Sequence, residues 1–136
     1  MIYNKFFFVT LNIEIIMNSA ELMFTKDHIW FKSISDDLYQ VGVTDYAQDL
    51  LGDIVFIELK ENEIVNSGDA FGVIESVKTA SDLISPSDLK ITKINHELMD
   101  NLTSVNDSPY ESWICEIKSL SRFETISKAE YEKLVG

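Results

Sequence analysis

Cysteine occurs once in this sequence, at Cys115, and that scarcity excludes an internal disulfide framework and any CxxC metal or redox pair. Set in Trp113-Ile114-Cys115-Glu116-Ile117, a strand-like run, the thiol reads as a small buried apolar group rather than a nucleophile. The two histidines, His28 and His96, are too few for a zinc site unless carboxylates supply most of the ligands. No GxGxxG or GxxxxGK[ST] loop is present to cradle a phosphate, and no GxSxG elbow to present a serine. Adjacent carboxylates such as Asp36-Asp37 fall in a turn and point to solvent, so nothing favours acid–base catalysis by a carboxylate pair. Cations are the scarcer charge: 11 Lys and Arg against 23 Asp and Glu leave a net charge of −12. That balance argues against nucleic acid, because phosphate binding draws on clustered Lys and Arg. It suits partners that present basic docking faces.

A long apolar run is also missing. Met1 to Ile16 (MIYNKFFFVTLNIEII) comes nearest, but Asn12 and Glu14 interrupt it, short of the ~18 apolar residues of a spanning helix. It carries no Arg and no convincing cleavage pattern, so it is a poor targeting segment. Residues 1–16 are expected to be an N-terminal extension, with Met17 a second candidate start, and 17–136 a single domain without membrane attachment. With 136 residues, 46% of them apolar, the chain can bury roughly two thirds of its unfolded surface around one core.

From Phe24 onward the pattern alternates with short polar breaks, the mark of several short strands. Strands are expected over Ile29–Ile34, Leu38–Val43, Ile54–Leu59, Ala70–Glu75, Ala80–Ile84, Lys90–Ile94 and Ser112–Ile117. Thr44 is placed to cap a short helix over Asp45–Leu51, and Gly52 follows where a left-handed residue ends a helix. Ser85-Pro86 breaks a strand because proline lacks the ladder amide. A short helix and loop are expected within Asn95–Asn106. A terminal helix is expected over Arg122–Val135, where Ser121…Glu124 and Ser127…Glu130 are both spaced as capping boxes. This sums to a mainly β sandwich or flattened barrel with short helices and a C-terminal helix. Trp30, Trp113, Tyr46 and Phe56 are expected to anchor the core.

One lysine has unusual surroundings. Lys78 stands between two apolar strands in Glu75-Ser76-Val77-Lys78-Thr79-Ala80-Ser81-Asp82, a turn of small and polar residues. Periodicity alone reads it as a solubilising turn lysine. The functional reading is an amine displayed for covalent modification, where an enzyme can reach both the side chain and the backbone around it.

The stretch from Phe24 to about Val135 resembles the H protein of the glycine cleavage system, the lipoyl-carrying subunit. The blocks that match are Phe24-Thr25-Lys26-Asp27-His28 with Trp30, Val43 to Gln48, Leu51 to Phe56, and Gly68 to Lys78. Ser81-Asp82, Ser85-Pro86 and Pro109-Tyr110 with Trp113 continue the likeness. The resemblance implies a lipoyl/biotinyl-type hybrid barrel-sandwich of two small antiparallel sheets, a single lipoate in amide linkage on Lys78, and no catalysis by the chain itself. Biotinyl carriers usually flank their lysine with methionines, whereas Val77 and Thr79 stand here. Gly72, Glu75, Ser76 and Val77 match the attachment motif read by lipoylating enzymes, and Asp27, His28 and Asp82 are candidates for a groove that shelters the arm. The implied partners are the P protein (glycine decarboxylase), the T protein (aminomethyltransferase) and the L protein (dihydrolipoyl dehydrogenase). Between them an H protein shuttles an aminomethyl group and electrons, as a monomer, in the bacterial cytoplasm or in a mitochondrion if the source is eukaryotic.

Three departures stand out. Ile29 takes the place of an acidic residue that lines the family's groove. Leu89 occupies the position eleven residues after the lysine (78 + 11 = 89) where a glycine is common. The loop between Tyr110 and Trp113 lacks the usual glycines and is about one residue short. These departures admit an alternative, a lipoyl relay that supplies lipoate to 2-oxoacid dehydrogenase subunits, and behind it a plain interaction domain with Lys78 unmodified.

Overall fold

Three consecutive residues, Ile29, Trp30 and Phe31, are buried at the start of strand β2 (Ile29–Ser35). A strand points successive side chains to opposite faces, so both faces of β2 must be covered here. Ile29 and Phe31 enter the main core, while Trp30 joins a second cluster with Phe24 and Tyr131. The computed structural model describes residues 22–136; the expected extension over 1–16 lies outside the described residues.

Strand β1 (Met23–Phe24) opens a six-stranded antiparallel sheet with β2, β3 (Leu38–Val43), β9 (Cys115–Ser119), β8 (Leu89–Ile94) and β5 (Ile64–Val65), in that spatial order. A three-stranded antiparallel sheet holds β4 (Ile54–Leu59), β6 (Ala70–Ser76) and β7 (Ala80–Ile84), with β6 in the middle. The main core lies between them. Ile57, Phe71, Ile74 and Leu83 from the smaller sheet meet Ile29, Phe31, Val41, Ile91 and Ile117 from the larger. Each such side chain contributes roughly 1.5–3 kcal/mol on burial. Short helices α1 (Asp45–Leu51), α2 (His96–Met99) and α3 (Thr103–Asp107) fill the connections, and α4 (Lys128–Val135) closes the chain. This is the expected two-sheet sandwich. Among the described residues no helix is long and apolar enough to cross a membrane.

Several local expectations shift. The terminal helix begins at Lys128 rather than Arg122. Ser127 caps it, its Oγ accepting from the Glu130 amide at 3.2 Å. The equally spaced Ser121…Glu124 pair caps nothing, because Phe123 stacks on Tyr39 at 4.6 Å and Ile126 exchanges both backbone hydrogen bonds with Phe24. Those long-range contacts keep 122–126 out of the helix, with Ile126 in an isolated bridge to Phe24. The last strand runs over Cys115–Ser119 instead of Ser112–Ile117, and Tyr46 and Phe56, expected in the core, are exposed. Trp113 is only half-buried, and the Lys93 ammonium lies 5.7 Å from the centre of its ring.

Leu89 is fully buried and pairs with Val65 and Ser119, so the turn before it uses no positive-φ residue at this position. Side chains shape that turn instead. The Asp88 carboxylate accepts from the Ser67 amide at 2.8 Å, and the Ser87 and Ser119 hydroxyls share a buried bond of 2.8 Å.

Candidate functional site

Strands β6 and β7 form a hairpin whose two central residues are Val77 and Lys78, both exposed. Its tip is fixed by hydrogen bonds, not by glycine. The Ser76 amide donates to the Thr79 carbonyl at 2.8 Å. The Ser76 Oγ accepts from the Lys78 amide at 3.3 Å and the Thr79 amide at 3.1 Å, the local side-chain capping that serine favours in turns. From outside the hairpin, the Asp53 carbonyl accepts from the Val77 amide at 3.0 Å. Ser76 therefore orders the turn and Val77 ties it to the segment entering β4. Among the described residues the Lys78 ammonium forms no ion pair.

Two glycines make this arrangement fit. Gly52 ends α1 with φ 79° and ψ −158°, a region open almost only to glycine, so the expected special residue after the helix is present in a mirror-extended form. A Cβ built there would lie 3.4 Å from Lys78 Cε, so the lysine stem runs beside bare backbone. Asn106 supports this corner, its Nδ2 donating to the Gly52 carbonyl at 2.8 Å and its Oδ1 accepting from the Ile54 amide at 3.0 Å. Gly72, in the middle of β6, is a close-approach position: a Cβ there would come within 2.5 Å of the Glu58 carbonyl oxygen. Glu75 pairs with Phe56 and Ala80 across the small sheet, with its carboxylate exposed.

The candidate groove residues sit in different surroundings. His28 occupies a left-handed turn position, φ 67°, and points into the protein. The Tyr131 hydroxyl stands 2.8 Å from His28 Nδ1 and 2.7 Å from Thr44 Oγ1, while Thr44 also accepts from the Ala47 amide as cap of α1. Burial holds the imidazole below its ordinary pKa, against the opposing pull of the Asp27 carboxylate. Asp27 itself is exposed and lines an open cleft of about 600 Å³ with Lys26, Pro86 and Arg122. Asp82 lies on β7 facing solvent, paired with Val73. Among the described residues, no hydrogen bond or ion pair joins Asp27, His28 or Asp82 to one another or to Lys78. Ile29 is 1% exposed within the main core, so position 29 does not face a groove in this chain.

Sequence reasoning overlooked Tyr131, the one side chain that joins α4 to both the His28 turn and α1. An aromatic at the fourth position after the Ser127 cap was the available signal, since it follows the cap by about one turn and packs back toward the cap. It also overlooked Asp53, whose contribution is a backbone carbonyl and leaves no trace in residue type.

What this arrangement can do is present one primary amine, on a flexible stem, above a turn whose backbone is held from three sides. The fit to an acylated lysine arm is good: the amine is exposed, and its stem passes glycine backbone. Comparison with known proteins points the same way. The family model described as "Glycine cleavage H-protein" matches residues 22–135. A glycine cleavage system H protein of Clostridioides difficile (strain 630) is 46% identical over 116 residues, covering 82% of this chain and 93% of that protein. Another, from Staphylococcus epidermidis, is 44% identical over 122 residues, covering 86% and 96%. The crystal structure of a glycine cleavage system H protein from Mycobacterium marinum superposes with a TM-score of 0.76 at 32% identity, covering 83% of this chain and 94% of that one. On its hairpin geometry, its two-sheet fold and these relatives together, the chain belongs to the glycine cleavage H-protein family.

Proposed function

We propose that this chain is the lipoyl carrier of a glycine cleavage system, with the lipoyl group in amide linkage on Lys78 and no catalytic step of its own. The observation that carries the reading is an exposed lysine at a rigid hairpin tip, in a chain of the H-protein family. Acylation forms a bond from Lys78 Nζ to the carbonyl carbon of an adenylated lipoyl group; the carbonyl–phosphate bond breaks, AMP leaves, and the amine gives up its proton. Once attached, the dithiolane supplies the chemistry of accepting an aminomethyl unit and a pair of electrons.

The chain's own residues supply presentation. Ser76 and the Asp53 carbonyl hold the turn, Gly52 leaves room for the stem, the buried Gly72 lets β4 approach β6 closely, and Glu75 contributes to the surface that a lipoylating enzyme reads. Tethering raises the effective concentration of one intermediate at the active sites of the P, T and L proteins. The domain acts as a monomer in the cytoplasm of a bacterium. The relay alternative drew on Ile29, Leu89 and the short loop between Tyr110 and Trp113; of these, Ile29 and Leu89 are core residues here, and the carrier reading is preferred on the Lys78 turn and the family.

The test is intact mass after incubation with lipoate, ATP and a lipoate–protein ligase. The parent protein gains one lipoyl increment and Lys78→Arg gains none. An increment on the Arg variant would move the acceptor elsewhere, and none on the parent would overturn the carrier reading.

A further inference from the structure

The small sheet has one face on the core, and its other face is solvent-exposed. A register shift between Ile54 and Phe56 places an extra residue in β4, so two consecutive side chains, Val55 and Phe56, stand outward together. They are 52% and 49% exposed, and Val77, at the hairpin tip, is 70% exposed. A strand with regular alternation would have turned one of the β4 pair inward. Carboxylates lie beside these apolar groups, along β4 and across β6 and β7. Glu58 and Asp82 are both paired with Val73, from opposite sides, so they share the outer face about 9.5 Å apart. Glu75 shares that face, since Phe56 and Ala80 are its partners, two residues along β6 from Val73. No cation among the described residues pairs with any of the three. The face therefore combines an apolar centre, a one-sign rim and continuity with the Lys78 turn.

We propose that this outer face, centred on Phe56 and Val55 and rimmed by Glu58, Glu75 and Asp82, is the surface on which the enzyme that acylates Lys78 docks. The proposal rests on Lys78 being the acceptor. Its occupant is a protein with an apolar recess bordered by Lys and Arg next to its active-site mouth. Charge complementarity argues for this: Glu58, Glu75 and Asp82 are all acidic and the chain carries −12 overall, so a basic approaching face is steered to them. Continuity argues for it as well, because the register that aligns Phe56 with Glu75 puts the patch beside the residues leading into the lysine turn. The apolar centre supplies the holding contact and the acidic rim the approach.

The experiment measures kcat and KM for the full apo chain as substrate of a purified lipoate–protein ligase, with lipoate and ATP saturating. Phe56→Ser is expected to lower kcat/KM about tenfold, mostly through KM, as loss of an interface anchor does. Glu58→Lys with Asp82→Lys is expected to lower it at least about tenfold near ~50 mM salt, with the gap to the parent narrowing at ~300 mM. Asp36→Lys with Glu124→Lys makes the same net charge change on exposed sites away from this face and is expected to stay within about twofold. All four positions and Phe56 are exposed, and circular dichroism checks that each variant keeps the fold. Face variants within about twofold of the parent, or a control pair that falls as far, would overturn the docking face while leaving Lys78 as acceptor. A parent chain that takes up no lipoyl group would overturn both readings.

Discussion

Gly52→Ala is the substitution that most directly couples stability to presentation of Lys78. The residue has φ 79° and ψ −158°, a combination an L side chain meets only with strain. Holding alanine there costs roughly 1–3 kcal/mol. Direct clash adds little, because the new Cβ would meet Lys78 Cε at 3.4 Å, an ordinary contact with the movable end of a side chain. At ~2.1 cal/mol/K per residue, the ~115 described residues give an unfolding entropy of about 0.24 kcal/mol/K, so the melting temperature falls by about 4–12 °C. Relaxing the strain would rotate the peptide into Asp53, whose carbonyl holds the Val77 amide. The variant is therefore also expected to be lipoylated more slowly at a temperature where it remains folded. Thermal denaturation followed by circular dichroism reads the first effect, and initial lipoylation rate the second. A melting temperature within about 2 °C of the parent would refute the argument from backbone strain.

His28→Asn tests the imidazole environment by pH. Burial depresses the folded-state pKa below the unfolded value near 6.5, so the unfolded chain binds the proton more readily. This site's stability is thus complete above about pH 6.5 and is lost as pH falls through the folded pKa. Asn accepts the positive φ and does not titrate, so its melting temperature should fall less than the parent's between pH 7 and 5; parallel curves would place His28 in solvent. Ile29→Glu puts a carboxylate into the main core at a cost on the order of 4 kcal/mol or more, and should leave the chain poorly folded. A variant that melts with the parent would mean that position 29 opens on a groove after all. Burial, with Glu116 adding to it, pushes the Cys115 thiol far up, so a thiol reagent at pH 8 should label it only on unfolding; rapid labelling of the native protein would contradict that burial.

Local signals were readable where local physics decides. Thr44 caps α1 as its position demanded, and Ser127 caps α4. Ser121 carried the same spacing and caps nothing, because Phe123 and Ile126 gain more by packing on Tyr39 and pairing with Phe24 than a longer helix would return. No window of sequence contains that comparison. Tyr46 and Phe56 were misplaced because aromatic type signals burial only on average: Tyr46 sits in the first turn of α1 on an exposed position, and in β4 the irregularity at Ile54/Phe56 changes the strand parity and turns Phe56 outward. Lys78 was legible from its flanking residues and from the resemblance they carry. Its periodicity alone gave a turn lysine and nothing more. The support beneath it, the Gly52 backbone and the Asp53 carbonyl, is main-chain geometry that only the fold displays.

That support extends further than the turn. Tyr131 on α4 bonds Thr44, Thr44 caps α1, α1 ends at Gly52, and the next carbonyl, that of Asp53, holds Val77 beside Lys78. Each link is a short contact between residues far apart in sequence or a helix between them, so the C-terminal helix braces the lysine hairpin without touching it. Such bracing leaves the stem of Lys78 as the moving part. An enzyme that docks on the hairpin need not order its backbone, and the entropy cost of recognition is confined to one side chain. On the proposed carrier reading, a rigid platform with a single flexible arm suits docking to several partners in turn. On the same reading the −12 charge would steer the approach of basic partner faces, and the braced turn would set the fit.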